Sequence, residues 1–245
     1  MSDKSEVRRH LEGSIRMVLA IIPARGGSNR IPRKNIKDFC GKPIIAWPID
    51  VAKASGLFDH IIVSTDDVEI AEVAKKWGAE VPFMRPPELS DAHASTDSVI
   101  VHAVQKSRQI YRNPRYGCCI YPTSPFLTTD DIRRGFDMLL AHNATSVFPV
   151  VKYDFPIEQA FLLDGVRPRA KWPEDLDKRS QDLPDHYHDA GTFYWFDVER
   201  FLNEGRLFCA NSVACVIPGN RCQDINTLDD WENAEIKFQV MAGRR

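Results

Sequence analysis

The chain has 245 residues, 43% of them hydrophobic and 27% charged, the size and balance of one ordinary globular domain with a sizeable core. A formal net charge of -2 and a pI near 6.4 exclude a nucleic-acid or anionic-membrane surface as the main partner, so any cationic cluster reads as a local site for a small anion. No apolar run approaches the roughly 20 residues a membrane helix requires, and the six cysteines, with neither a C-x-x-C pair nor zinc-ligand spacing, fit a reducing cytoplasm.

In chain order, residues 1–16 are polar and aperiodic, lack the apolar core of a signal peptide, and read as a leader or a disordered extension ahead of a folded unit at 17–245. The first strand, residues 18–22, empties into a loop in which Arg25, Arg30, Arg33 and Lys34 meet no acid before Asn35. Gly26 and Gly27 let backbone N–H groups approach an anion, and Ser28 adds a hydroxyl; a triphosphate suits this loop. The spacing matches neither G-x-x-x-x-G-K-[ST] nor G-x-G-x-x-G, so P-loop and dinucleotide readings are unsupported. A second strand at 61–63 leads into Ser64-Thr65-Asp66-Asp67, read as a helix N-cap with no catalytic role. Ile70, Val73, Ala74 and Trp77, then Ile100, Ala103 and Val104, recur at helical spacing.

A strand at 117–121 is followed by Pro122-Thr123-Ser124-Pro125, and Thr128-x-x-Asp131 has the form of a capping box. After a strand at 145–151 the alternation breaks for about 40 residues, 152–190, far beyond the usual connection, which marks an insertion that is a lid or a dimer arm. Strands at 192–196 and 213–217 follow, then a second capping box, Thr227-x-x-Asp230, and a helix carrying Trp231, Ala234 and Phe238. Trp47, Trp77 and Trp231 read as core. Apolar strands alternating with helices give an α/β fold with a mostly parallel sheet covered on both faces, so that the loops after the strands at 18–22, 61–63 and 117–121 border one crevice.

Two carboxyl-terminal features carry metal chemistry in principle. Asp224 and Asn226, two apart on an extended segment, share a face and either hold one divalent ion or shape the turn into the last helix; the residues alone leave both open. His186 and His188 also share a face, but two histidines without a longer pattern favour hydrogen bonding over zinc.

Together, Ile22-Pro-Ala-Arg-Gly-Gly-Ser28 with Arg30-Ile-Pro-Arg-Lys-Asn35, Val63-Ser-Thr-Asp66, Arg85-Pro-Pro-Glu-Leu-Ser90, Pro122-Thr-Ser-Pro125 and Gln223-Asp-Ile-Asn226 resemble the CMP-nonulosonic acid synthetases, also called acylneuraminate cytidylyltransferases. Ile120-Tyr-Pro-Thr-Ser-Pro-Phe-Leu127, Arg179-Ser-Gln-Asp-Leu-Pro184 and Tyr187-His-Asp-Ala-Gly191 are most similar to the branch acting on pseudaminic acid, whereas the sialic-acid branch has Gln at the place of Tyr121. The resemblance implies a Rossmann-like, GT-A-like nucleotidyltransferase fold with an inserted dimerisation segment, and transfer of CMP from CTP to a nine-carbon 2-keto sugar acid with Mg2+. By position it implies catalytic roles for Arg25, Lys34 and Asp224 and a nucleotide site of Ala24, Arg25, Gly26, Ser28, Asn29, Lys34, Asn35 and Arg85. It further implies sugar contacts from Tyr121, Arg179 and Tyr194, metal contacts from Asp224 and Asn226, and a cytoplasmic homodimer in which the insertion reaches the neighbouring site. Asn29 stands where the family usually has Lys, with Arg30 or Arg33 as replacement cation, and Asn226 replaces a second Asp, which implies weaker magnesium affinity. The rival readings are 3-deoxy-manno-octulosonate, sialic or legionaminic acid as substrate, and a nucleotide-binding scaffold without turnover.

Overall fold

The computed structural model describes residues 17–28, 30–91 and 94–243. In chain order the strands are β1 (Met17–Pro23), β2 (Asp38–Phe39), β3 (Lys42–Pro43), β4 (His60–Ser64), β5 (Pro114–Ile120), β6 (Ser146–Lys152), β7 (Phe161–Asp164), β8 (Arg167–Ala170), β9 (Tyr187–Asp189), β10 (Phe193–Asp197) and β11 (Ser212–Val216). The α-helices are α1 (Ala46–Ser55), α2 (Val68–Lys76), α3 (Thr96–Ile110), α4 (Thr129–Ala141), α5 (Val198–Glu204) and α6 (Leu228–Ala242).

A seven-stranded sheet runs β11-β6-β10-β5-β1-β4, with β9 also paired to β6. Strands β4, β1, β5, β6 and β11 share one direction, whereas β10 is antiparallel to both its neighbours and β9 is antiparallel to β6. The apolar runs predict β1, β4, β5, β6, β10 and β11 but neither β9, which lies in the stretch read as an insertion, nor the reversal of β10, because a buried strand reads the same in either direction.

Alternation along β1 divides the core. Val18, Ala20 and Ile22 face α1, α2 and α4 through Ile49, Ala52, Ile70, Ala74, Ile132 and Phe136. Leu19 and Ile21 face the other side, against Ile100, Ala103 and Val104 of α3 and Phe201 of α5. Each of α4 and α6 begins with the anticipated capping box, Thr128 with Asp131 and Thr227 with Asp230. Arg221 adds to the first one, donating to Asp131 Oδ1 at 2.9 Å and tying α4 to the segment before α6.

Packing between β5 and β10 leaves no room at Gly117, where a Cβ would lie 2.3 Å from Phe196 Cζ. Both residues sit in the interior of the sheet, so the ring has nowhere to retreat. Gly117→Ala is expected to cost about 3 kcal/mol and to lower the thermal midpoint by roughly 6–10 °C, read by calorimetry.

Two features position the crevice. A small separate core joins Ile31 of the cationic loop to Phe39, Phe126, Ile225 and Trp231, so the loop and the segment before α6 are held side by side although nearly 200 positions separate them. Within residues 152–190, β7 and β8 form a hairpin away from the central sheet that leaves Leu163 73% and Val166 94% exposed.

Candidate active site

Past the carboxyl ends of β1 and β5 lies a cavity of about 460 Å3, in the usual range of roughly 300–1,000 Å3 for small-molecule sites. Arg25, Ser28, Arg30, Lys34 and Asn35 line one side; Arg85, Leu89, Asp91, Ala94 and Thr96 line another, and Tyr121, Pro122 and Thr123 close it. Three of the four loop cations therefore face this space, and no carboxylate of the loop itself offsets them.

Each loop residue has a local reason for its place. Ala24 is fully buried and its N–H bonds to the Ser64 carbonyl at 2.9 Å, extending the pairing of β1 with β4. Asn35, 7% exposed, donates its side-chain amide to the Arg25 carbonyl at 2.9 Å and closes the loop on itself. Arg25 Nη1 donates to the Asp91 carbonyl at 2.8 Å. Gly26 must be glycine, since a Cβ there would stand 2.6 Å from Asp67 Oδ2, and its N–H already donates to Asp66 Oδ1 at 2.9 Å. A Cβ at Gly27, by contrast, would meet nothing within 4 Å, so of the two glycines only Gly26 is forced by crowding. Asn29 lies outside the described residues.

The loop reaches the distant Gln223-Asp224-Ile225-Asn226 segment at two points. Lys34 Nζ donates to the Ile225 carbonyl at 2.8 Å, and Arg30 Nη2 to Asn226 Oδ1 at 2.6 Å. Burial pushes the Lys34 pKa down, Arg30 and Arg25 push the same way, and Asp224 pulls it back up. Arg85 is only 5% exposed, its Nε and Nη2 have no hydrogen-bond partner among the described residues, and its ion-pair partner is Asp66 at 3.8 Å. A buried guanidinium with unsatisfied donors beside a cavity is prepared for an acceptor that is not part of the chain.

On the opposite wall, the Tyr121 hydroxyl shares a 2.7 Å hydrogen bond with Thr96 Oγ1. Tyr194 stands behind Tyr121 with ring centroids 5.4 Å apart, and its hydroxyl donates to Asp189 Oδ2 at 2.5 Å. Burial pushes both phenols above their ordinary pKa, so both are neutral donors at physiological pH. Arg179 is not brought to the cavity of its own chain: it lies on the insertion, side chain 72% exposed, paired with Asp182 at 2.7 Å. His186 pairs with Glu158 at 3.1 Å and His188 Nδ1 with the Asp189 carbonyl at 2.9 Å. No helix among the described residues is long and apolar enough to cross a membrane.

The cytidylyltransferase family model matches residues 19–208, which takes in the cationic loop, Arg85, Tyr121 and the insertion. This chain belongs to the cytidylyltransferase family. It is 42% identical over 226 residues, 91% of this chain and 96% of that protein, to a pseudaminic acid cytidylyltransferase of Campylobacter jejuni. It is 36% identical to an N-acylneuraminate cytidylyltransferase of Oncorhynchus mykiss across 79% of this chain and 45% of that one. In fold, this cytidylyltransferase is similar to a CMP:2-keto-3-deoxy-manno-octonic acid synthetase solved with CTP, with a TM-score of 0.66 at 15% identity, covering 94% of this chain and 100% of that one.

Sequence reasoning did not single out Asp91, Ala94 and Thr96 as cavity wall. Their signal was present in Ser95-x-x-Ser98, which caps α3 through a Ser98 N–H to Ser95 Oγ bond of 3.1 Å and so places residues 94–96 at a helix start facing the crevice.

The donor set for magnesium is small. Asp224 does not line the cavity but lies close enough to pull the Lys34 pKa up, while Asn226 turns its Oδ1 to Arg30 and its amide nitrogen to Asp224 Oδ2. The amide oxygen anticipated as a second metal contact is thus engaged by a guanidinium. One carboxylate completed by water and substrate phosphates still fits the habits of a magnesium ion.

Proposed function

We propose that this cytidylyltransferase transfers CMP from CTP to a nine-carbon 2-keto sugar acid, pseudaminic acid, releasing pyrophosphate, and that it works as a cytoplasmic magnesium-dependent homodimer. The observation that carries the reading is the convergence of Arg25, Arg30, Lys34 and the unsatisfied Arg85 on one cavity. Near full-length similarity to the Campylobacter jejuni protein adds the choice of substrate.

In the reaction, the anomeric hydroxyl oxygen attacks the α-phosphorus of CTP in line. A new O–P bond forms, the bond to the β-phosphate bridging oxygen breaks, pyrophosphate leaves with that electron pair, and the hydroxyl proton passes to solvent. Lys34, Arg25 and Arg30 hold the phosphates and neutralise the charge that builds on the transferred and leaving groups. Arg85 binds the nucleotide with its Nε and Nη2 donors. Asp224, with the substrate phosphates, would hold a magnesium ion, which would supply further neutralising charge. Tyr121 and Thr96 form the sugar wall with their hydroxyls, and Tyr194, bonded to Asp189, backs Tyr121.

The insertion pairs two copies. Its hairpin exposes Phe161, Leu162, Leu163 and Val166, apolar surface of the kind a second copy covers, and Arg179, exposed on the same insertion, exchanges Asp182 for the neighbouring cavity. Pyrophosphate release with CTP and magnesium, measured against pseudaminic, legionaminic, N-acetylneuraminic and 3-deoxy-manno-octulosonic acids, tests the whole reading. Turnover selective for the first supports it; turnover of another acid moves the substrate, and CTP binding without release from any of them leaves a nucleotide-binding scaffold.

A further inference from the structure

Arg33 is the loop cation that does not face the cavity. It sits at φ 55 and ψ 28, in the left-handed region that disfavours any residue with a Cβ. This turn sends neighbouring side chains opposite ways, Lys34 to the cavity and Arg33 to the start of α2. There its guanidinium grips Asp67 with both terminal nitrogens, Nη2 reaching Oδ1 at 3.0 Å, and Nη2 also meets Glu69. Such a planar fork fixes orientation as well as distance.

Asp67 is itself immobilised. It caps α2 by accepting the Ile70 N–H at 3.0 Å, and its carboxylate fills the space a side chain at Gly26 would need. The adjacent Asp66 takes the Gly26 N–H. The two shoulders of the cationic loop are therefore fastened to adjacent residues just past the end of β4, Gly26 to Asp66 and Arg33 to Asp67.

We infer that Arg33 and Asp67 are positioning residues that hold the loop in its anion-receiving shape before nucleotide arrives, and that Arg33 does not bind the phosphates. The inference rests on the nucleotide site proposed above. It also separates the two candidate substitutes for a lysine at position 29: Arg30 faces the cavity and Arg33 does not.

Calorimetric titration with CTP and pyrophosphate-release kinetics on the full chain, with Asp67→Asn, Arg33→Lys and the double variant, test it by the sign of the effect. Asn caps a helix as well as Asp does, so Asp67→Asn removes the clamp and keeps α2. A positioning role predicts CTP affinity about 10-fold lower, a matching rise in KM for CTP and an unchanged KM for the sugar acid. A phosphate-binding Arg33, released from its carboxylate, would instead bind CTP as well as before or better. Arg33→Lys keeps the charge but loses the fork and is expected to match Asp67→Asn, with the double variant no worse than either. Wild-type CTP affinity in Asp67→Asn, or a double variant losing the product of both single effects, overturns the inference alone. Should Asp67→Asn fail to fold, undiminished CTP affinity in Arg33→Lys overturns it as well. A wild-type chain that does not bind CTP overturns the nucleotide reading, and the inference with it.

Discussion

Lys34→Ala is expected to lower kcat about 100-fold or more, the usual cost of removing one preorganised charge from a developing anion, with the thermal midpoint little changed. The ammonium is half-buried beside Arg30 and Arg25, and among the described residues its one hydrogen bond is to the Ile225 carbonyl. That bond is a neutral one and weaker than the bond a phosphate oxygen offers. Burial and the two guanidinium groups hold its pKa below that of a free lysine. In the free enzyme the charge is accordingly lost at a lower pH than usual, so kcat/KM for CTP falls as pH rises through this lowered value, and a bound triphosphate shifts it back up. Lys34→Arg stays charged throughout the accessible range and is expected to flatten the alkaline fall. Steady-state pyrophosphate release across pH measures both effects; an alkaline limb that persists in Lys34→Arg would assign the titration to another group.

Asp224→Ala is expected to reduce turnover by about 100-fold or more at fixed magnesium, because the proposed ion, worth several kcal/mol of charge stabilisation, would lose its protein carboxylate. CTP affinity measured without metal should not fall, since the substitution removes a negative charge from beside the phosphates. Asn226→Asp tests the same place with the opposite sign. A second carboxylate next to Asp224 favours the ion, and the magnesium concentration at half-maximal rate is expected to drop. Arg30 retains a partner in this variant, so the loop keeps its contact with the segment before α6. Unchanged metal dependence in both variants would move the magnesium site elsewhere.

Much of the fold was legible because the signals are local. The even and odd residues of β1 part to opposite cores, as two-residue periodicity requires, and both capping boxes stand where a hydroxyl precedes an acid by three positions. The direction of β10 was not legible, since strand periodicity carries no sign and the direction depends on how the insertion returns the chain through β9. The β7–β8 hairpin was hidden for a related reason, its apolar residues being exposed rather than half-buried.

The loop shows the same division. Its charge and glycines could be read directly, but the destination of each side chain could not. Arg33 and Lys34 are adjacent in the chain and part company only because of a left-handed turn, and Gly26 owes its identity to Asp67, a residue on the next strand end. Asn226 was readable as an oxygen donor on the same face as Asp224, while its engagement by Arg30 depends on a contact across 196 positions. Such pairings arise from the small core of Ile31, Ile225 and Trp231, which no local pattern announces.

The most direct test of the central claim is a crystal structure of the chain with CTP and magnesium. The triphosphate is expected between Lys34, Arg25 and Arg30, with Asp224 facing it through the metal and Arg85 bonded to the nucleotide. A nucleotide seated elsewhere, for instance in the apolar groove between α1 and α6 beside Trp47 and Phe238, with the loop cations untouched, would contradict it.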